Sequence, residues 1–170
     1  MRMLSLAIGL ALAGCQSAAP IVAISSSFDP AAAAYIRKRG EGTIEGHAFW
    51  REKTGGTVNA AGEVVRLIPA TAYARERFAK LYGERKFVPA SAYPKAQDTD
   101  PQYADYIRTT KSESNGKFSF DHVAPGSYFI STQVTWEKAG AFSPEGGALY
   151  ETVTLTGKED EAVAVVVSGP

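Results

Sequence analysis

The side chains able to do chemistry are few. Cys15 is the only cysteine in 170 residues, so the chain can form no internal disulfide. Its two histidines, His47 and His122, fall on separate predicted strands. Brought together across a sheet they would give a metal two ligands, too few for a typical zinc site. Asp98, Asp100 and Asp105 supply oxygens of the kind calcium prefers. Their run has neither the glycine nor the closing glutamate of a helix–loop–helix calcium site and reads as a solvated acidic loop. No Gly-x-Ser-x-Gly elbow, phosphate-binding glycine loop or His-Glu-x-x-His pair occurs, and Gly55-Gly56 and Gly146-Gly147 read as turns. These residue types predict no catalytic constellation, no metal site and no cofactor.

What Cys15 can do follows from the residues before it. A basic start, Met1-Arg2, leads into an apolar stretch from Met3 to Leu12 that ends in Ala13-Gly14-Cys15. The stretch is far shorter than the roughly 20 residues that span a bilayer, and its order is that of a secretory signal. Leu12-Ala13-Gly14-Cys15 resembles the bacterial lipobox. That resemblance implies cleavage between Gly14 and Cys15 and lipidation of the Cys15 thiol. Stable anchoring needs more than one acyl chain, a condition the implied triacylated cysteine meets. Gln16, in place of an aspartate, implies the inner leaflet of the outer membrane, facing the periplasm.

Cleavage leaves 156 residues, enough for one domain with its own core. Losing Arg2 leaves seventeen basic against eighteen acidic side chains, with no dense basic block, which excludes nucleic acid as an expected partner.

Residues 15–28 are rich in serine and small residues and read as a tether, reaching about 40 Å if extended at roughly 3.3–3.6 Å per residue. Over 29–41 a short helix is predicted, with Asp29 as N-cap, Pro30 in its first turn, Arg37, Lys38 and Arg39 at its cation-favouring end, and Gly40 as the stop. From Gly42 the pattern turns to strands: Thr43 to Trp50, Glu63 to Ile68, Tyr103 to Ser112, Lys117 to Val123, Tyr128 to Trp136, Gly146 to Thr156, and Ala162 to Val167. The last reads as buried on both faces. Asn115-Gly116 predicts a hairpin. Residues 71–101 interrupt the series as an insertion, with a helix from Thr71 to Tyr82 that presents Ala74, Phe78, Leu81 and Tyr82 on one face and pairs Glu76 with Lys80. Seven short strands at regular spacing predict an all-β fold, a seven-stranded antiparallel β-sandwich over 42–170.

The stretch Asn115-Gly116-Lys117-Phe118-Ser119-Phe120-Asp121-His122-Val123-Ala124-Pro125-Gly126-Ser127-Tyr128-Phe129-Ile130 resembles the carboxypeptidase regulatory-like family of transthyretin-like sandwiches. Val64-Val65-Arg66-Leu67-Ile68-Pro69 looks like the family's Val-x-Leu-x-Pro strand. The resemblance implies a fold that serves many roles. Two enzyme families on related sandwiches do not match: hydroxyisourate hydrolases end in Tyr-Arg-Gly-Ser, and intradiol dioxygenases carry a His-x-His pair, and this chain has neither.

Aromatic residues are the remaining lead. Trp50, Tyr73, Tyr82, Phe87, Tyr93, Tyr103, Trp136 and Phe142 fall at strand ends or in the insertion, where they would either anchor a partner or cap the core. Trp50, Tyr73, Tyr82, Tyr93 and Trp136 form the candidate interaction surface. The expected function is that of a non-catalytic, lipid-anchored envelope protein that contacts a protein partner through an insertion removable without unfolding the domain. A glycan-binding module, like the starch-binding-like sandwiches, is the alternative. A further alternative is architectural similarity to the lipidated transthyretin-like sandwiches of type VI secretion.

Overall fold

The computed structural model describes residues 19–97, 100–140 and 143–170. The expected signal segment, Gly14, Cys15, Asp98 and Phe142 lie outside the described residues.

In chain order the elements are β1 (Ile21–Ala23), α1 (Pro30–Ala33) with a 3-10 turn (Ala34–Arg37), β2 (Arg39–Arg51), β3 (Thr57–Asn59), β4 (Val64–Pro69), α2 (Ala72–Tyr82), β5 (Phe87–Pro89), a 3-10 turn (Ala90–Ala92), β6 (Lys95–Gln97), a 3-10 turn (Pro101–Tyr106), β7 (Arg108–Lys111), β8 (Lys117–Val123), β9 (Gly126–Trp136), β10 (Glu145–Leu155) and β11 (Val163–Ser168). One sheet has the order β5-β10-β9-β4-β7. The facing sheet has the order β11-β2-β3, with β8 also paired to β2.

The core between the sheets follows from period-2 alternation. Tyr128, Ile130 and Val134 of β9 meet Ile44 and Ala48 of β2 and Phe118 and Phe120 of β8, all buried. The Tyr128 hydroxyl donates to the Ala124 carbonyl at 2.7 Å, which satisfies a polar group that the core would otherwise strand. Tyr35, in the first 3-10 turn, ties the two halves of a corner together. Its hydroxyl donates to Ser127 O at 2.5 Å and accepts from Ala70 N at 3.0 Å.

A second core lies on the outer face of the five-stranded sheet. Thr71 caps α2, accepting from Ala74 N at 3.3 Å, and Gly83 ends it at φ 63°. The helix turns Ala74, Phe78, Leu81 and Tyr82 onto the sheet, as its spacing predicts, together with Tyr73. Phe78 stacks on Phe129 at 4.2 Å and meets Tyr150 edge-on at 4.9 Å.

Several expectations are corrected. Asn115-Gly116 does not close a hairpin: β7 pairs with β4 and β8 with β2, so this turn carries the chain from one sheet to the other. The expected strand from Tyr103 is a 3-10 turn over its first half, because Asp100 caps it by accepting from Gln102 N at 2.9 Å and Pro101 cannot extend it. β11 is not buried on both faces. It runs parallel to β2, with Val166 turned outward at 54% exposure. Gly40 does not end a helix; the helical turns stop at Arg37, and Gly40 lies inside β2 against the Val123 backbone. Glu76 bonds to Ser25 and Ser26 and leaves Lys80 aside. The tether is docked from Ile21 onward, because β1 pairs in parallel with β6 and Phe28 is buried. The segment 71–101 is likewise more than a loop between strands: β5 extends the main sheet beside β10 and α2 roofs it.

Candidate functional site

Two clefts gather the functional side chains. The first sits at the end of the sandwich where β2 and β9 finish. Trp50 closes β2 and Trp136 closes β9, their rings 6.4 Å apart and edge-on, while Phe87 at the start of β5 meets Trp50 at 5.6 Å. Two glycines make this packing feasible. Gly146 adopts φ 83°, and a side chain there would strike both the Val134 carbonyl and the Trp136 ring; a side chain on Gly169 would strike Trp50. Trp50 is buried, whereas Trp136 is half-exposed and forms the accessible wall. The cleft has a volume of about 660 Å³ and is rimmed by Glu52, Lys53, Lys138, Ser143 and Glu145. Lys138 and Glu145 pair across it at 3.6 Å. Charges of both signs beside aromatic walls give a site with donors, acceptors and flat apolar faces but little net charge.

The second cleft, of about 500 Å³, lies beside α2 on the outer face of the five-stranded sheet. The helix covers Phe129 and stops short of Ser131, Gln133 and Thr135, the polar residues that alternate outward along β9. Arg66 reaches in from β4, whose register sets it opposite Ser131, and Arg77 comes from the helix. The rings of Phe78, Tyr82, Tyr93 and Tyr103 form the far wall. Burial drives the phenol of Tyr82 well above its ordinary range, helped by neighbouring Tyr93, and burial likewise raises Tyr103 while nearby Arg77 opposes it. Both are neutral donors at any physiological pH.

The predicted site residues divide between these places. Trp50 and Trp136 come together in the first cleft. Tyr82 and Tyr93 line the second, and Tyr93 is the exposed one at 38%. Tyr73 is buried in the second core, its hydroxyl accepting from Asp100 N at 3.2 Å, and presents no ring to a partner. The histidines are held apart. His47 pairs with Lys117 near the start of β8, and His122 lies five residues further along that strand, about 17 Å at ~3.3 Å per residue. His47 Nε2 lies 3.2 Å from Asn59 Oδ1, and His122, at φ 55°, accepts from Arg39 at 2.9 Å. Arg37 of the basic helical end donates to the Asp105 carbonyl at 3.3 Å and covers the Tyr106 ring at 3.8 Å. Arg66, Arg77 and Gln133 escape the sequence reading. Their one signal is the outward polar alternation of β4 and β9 beside an amphipathic helix too short to cover it.

No family model matches the chain, and no curated relative matches it in sequence. Among solved structures it is similar to PA1324 of Pseudomonas aeruginosa, described as a candidate carbohydrate-binding protein. The TM-score is 0.71 and the identity 29%, over 84% of this chain and 98% of that one. A Streptococcal ancillary pilin superposes with a TM-score of 0.33 at 10% identity, over 78% of this chain and 30% of the pilin, too loosely to bear on function. The chain is a mostly-β protein of two facing sheets, built like a protein described as a candidate binder of carbohydrate.

Proposed function

We propose that this protein is a non-catalytic glycan-binding module, held in the cell envelope through a lipidated Cys15 at the inner leaflet of the outer membrane. The observation that carries the reading is the Trp50–Phe87–Trp136 wall of the end cleft. A half-exposed indole offers an apolar face to the C–H face of a sugar ring, and the mixed rim of Glu52, Lys53, Lys138 and Ser143 offers donors and acceptors to its hydroxyls. A rim so nearly balanced suits a neutral polyol better than an ion. Similarity to PA1324 supports the same reading. The stretch Asn115 to Ile130, built here as the sheet-crossing turn followed by β8 and β9, keeps the carboxypeptidase regulatory-like resemblance as part of the proposal.

Titrating tryptophan emission with a panel of neutral oligosaccharides tests it. Saturable quenching or a blue shift is expected for at least one member, and Trp136→Ala should weaken that binding about tenfold or more. A flat titration across the panel removes the reading. The contact with a protein partner, expected from the insertion, finds less support, since α2 spends its aromatic face on the sheet beneath it.

A further inference from the structure

Another cleft, at the corner where the first 3-10 turn runs into β2, gathers cations. Arg37, Lys38, Arg39 and Arg108 line it, with Asp105 and Asp121 beside them. Four cations against two carboxylates leave a formal surplus of two positive charges. Both carboxylates are exposed, and among the described residues neither forms an ion pair with a lining cation. Neutral acceptors hold the guanidiniums instead. Arg108 donates to the Asp121 carbonyl at 2.6 Å and to the His122 carbonyl at 3.4 Å. Arg39 donates to the His122 imidazole, and Arg37 donates to the Asp105 carbonyl while its plane covers the Tyr106 ring. A guanidinium has five N–H donors, so these bonds fix three forks in place and leave donors on each for a further acceptor. The exposed Lys38 ammonium has no partner among the described residues.

The backbone supplies a second observation. His122, at φ 55°, is the one non-glycine residue at positive φ among the described residues. Opposite it β2 bulges, because Arg39 and Gly42 both pair with Val123. Bulges re-aim side chains, and a non-glycine residue in the left-handed region persists only where its surroundings hold it there. Together these two irregularities bring the guanidiniums of Arg39 and Arg108, from opposite sheets, onto the same residue, His122. The volume of about 460 Å³ lies within the roughly 300–1,000 Å³ of small-ligand sites.

We propose that this corner cleft binds a small soluble phosphomonoester, its phosphate held by Lys38, Arg39 and Arg108 and its remainder filling the space beside Tyr106 and Ile107. Guanidinium forks match phosphate oxygens bidentately. A phosphomonoester carries close to two negative charges at neutral pH, which offsets the surplus of the lining. The phosphodiester of a lipid headgroup carries one and would leave the cleft cationic.

Calorimetric titration of the whole protein with glycerol 1-phosphate, with glycerol and with sodium sulfate tests the assignment. Glycerol 1-phosphate should bind, more weakly as salt is raised, and glycerol should not. Sulfate, a weaker base of the same shape and charge, should bind less tightly. Arg39→Gln should weaken glycerol 1-phosphate binding about tenfold or more with unchanged thermal unfolding, and Lys38→Gln should weaken it in the same direction. Lys80→Gln, which removes an equal charge from an exposed position on α2, should leave it intact. Absence of glycerol 1-phosphate binding, insensitivity to both cleft variants, or an equal loss in Lys80→Gln overturns the proposal. Sulfate binding as tightly as the ester reduces the cleft to a general anion site and overturns the phosphate. A last arm spins the full chain carrying Cys15→Ser with vesicles of phosphatidylglycerol or of phosphatidylcholine. Sedimentation with the anionic vesicles that depends on Arg39, without glycerol 1-phosphate binding, assigns the cleft to a lipid headgroup and overturns the soluble ester.

Discussion

Glu76 shows how a single side chain sets the behaviour of a segment far away in sequence. Its carboxylate accepts from Ser25 N at 2.8 Å, from Ser25 Oγ at 2.6 Å and from Ser26 N at 2.7 Å. The Ser25 and Ser26 hydrogen bonds hold its carboxyl at about 2, below an ordinary value of 4.5. A carboxyl depressed in the folded state contributes stability that is complete above its unfolded value and is lost as pH falls toward the folded one. The clasp on the N-terminal segment should therefore hold at neutral pH, begin to loosen near pH 4.5 and be open near pH 2. Amide exchange at Ser25 and Ser26 reads this directly, with protection falling through that window. Glu76→Gln keeps the shape but removes the charge, so its protection should be lower at pH 7 and flat with pH. A variant that keeps the native pH profile would show that another group sets it. The aromatic residues make the opposite point about legibility. Their types and positions at strand ends are plain in the sequence. Which of them is covered is not, because burial of Tyr73 and exposure of Tyr93 depend on where α2 comes to rest.

At the scale of elements, α2 matters more than its eleven residues suggest. It roofs Phe129 and Tyr150, and its N-terminal end packs Tyr73 against Phe28 at 5.7 Å and Tyr103 at 5.0 Å. Phe78→Ala would remove the ring stacked between helix and sheet. It should cost about 3–5 kcal/mol, read as a lower midpoint in urea unfolding. Deleting 71–101 should do far worse, removing β5 from the sheet, β6 from β1 and the cover of the outer face, and leaving a protein that binds hydrophobic dye. A folded, monomeric deletion variant would restore the segment to a separable insertion. The long elements were legible because their own side chains carry the period: β9 and β10 pair over eleven residues, and both alternate as expected. The three-residue strands β1, β5 and β6 were not, since each exists only through a partner distant in sequence, whereas β3 is a short local hairpin with the end of β2. The sheet-crossing turn at Asn115-Gly116 belongs with these. Asn-Gly supplies the tight turn, with Gly116 at φ 81° and Asn115 Oδ1 accepting from Lys117 N at 2.8 Å. It says nothing of which sheet receives the next strand.

For the molecule as a whole, the docked β1 changes the geometry of anchoring. Six residue steps separate Cys15 from Ile21, where pairing with β6 begins. At most about 3.6 Å per residue, that is a reach of roughly 20 Å, half of what a free segment to Phe28 would allow. With Cys15 lipidated, the body would ride close to the headgroups, so the end cleft would sample glycan near the membrane at high local concentration, and modest affinity there would suffice. Expressed as the full chain from Met1, the native protein should partition with membranes and incorporate labelled palmitate. Cys15→Ser should appear in the soluble fraction, unlabelled, with the same unfolding midpoint. Reconstituted beside dansyl-labelled lipid, the native protein's tryptophans should transfer energy to the dye, and those of Cys15→Ser should not. Membrane retention of the serine variant would show that a surface of the folded body, and not the thiol, holds the protein there.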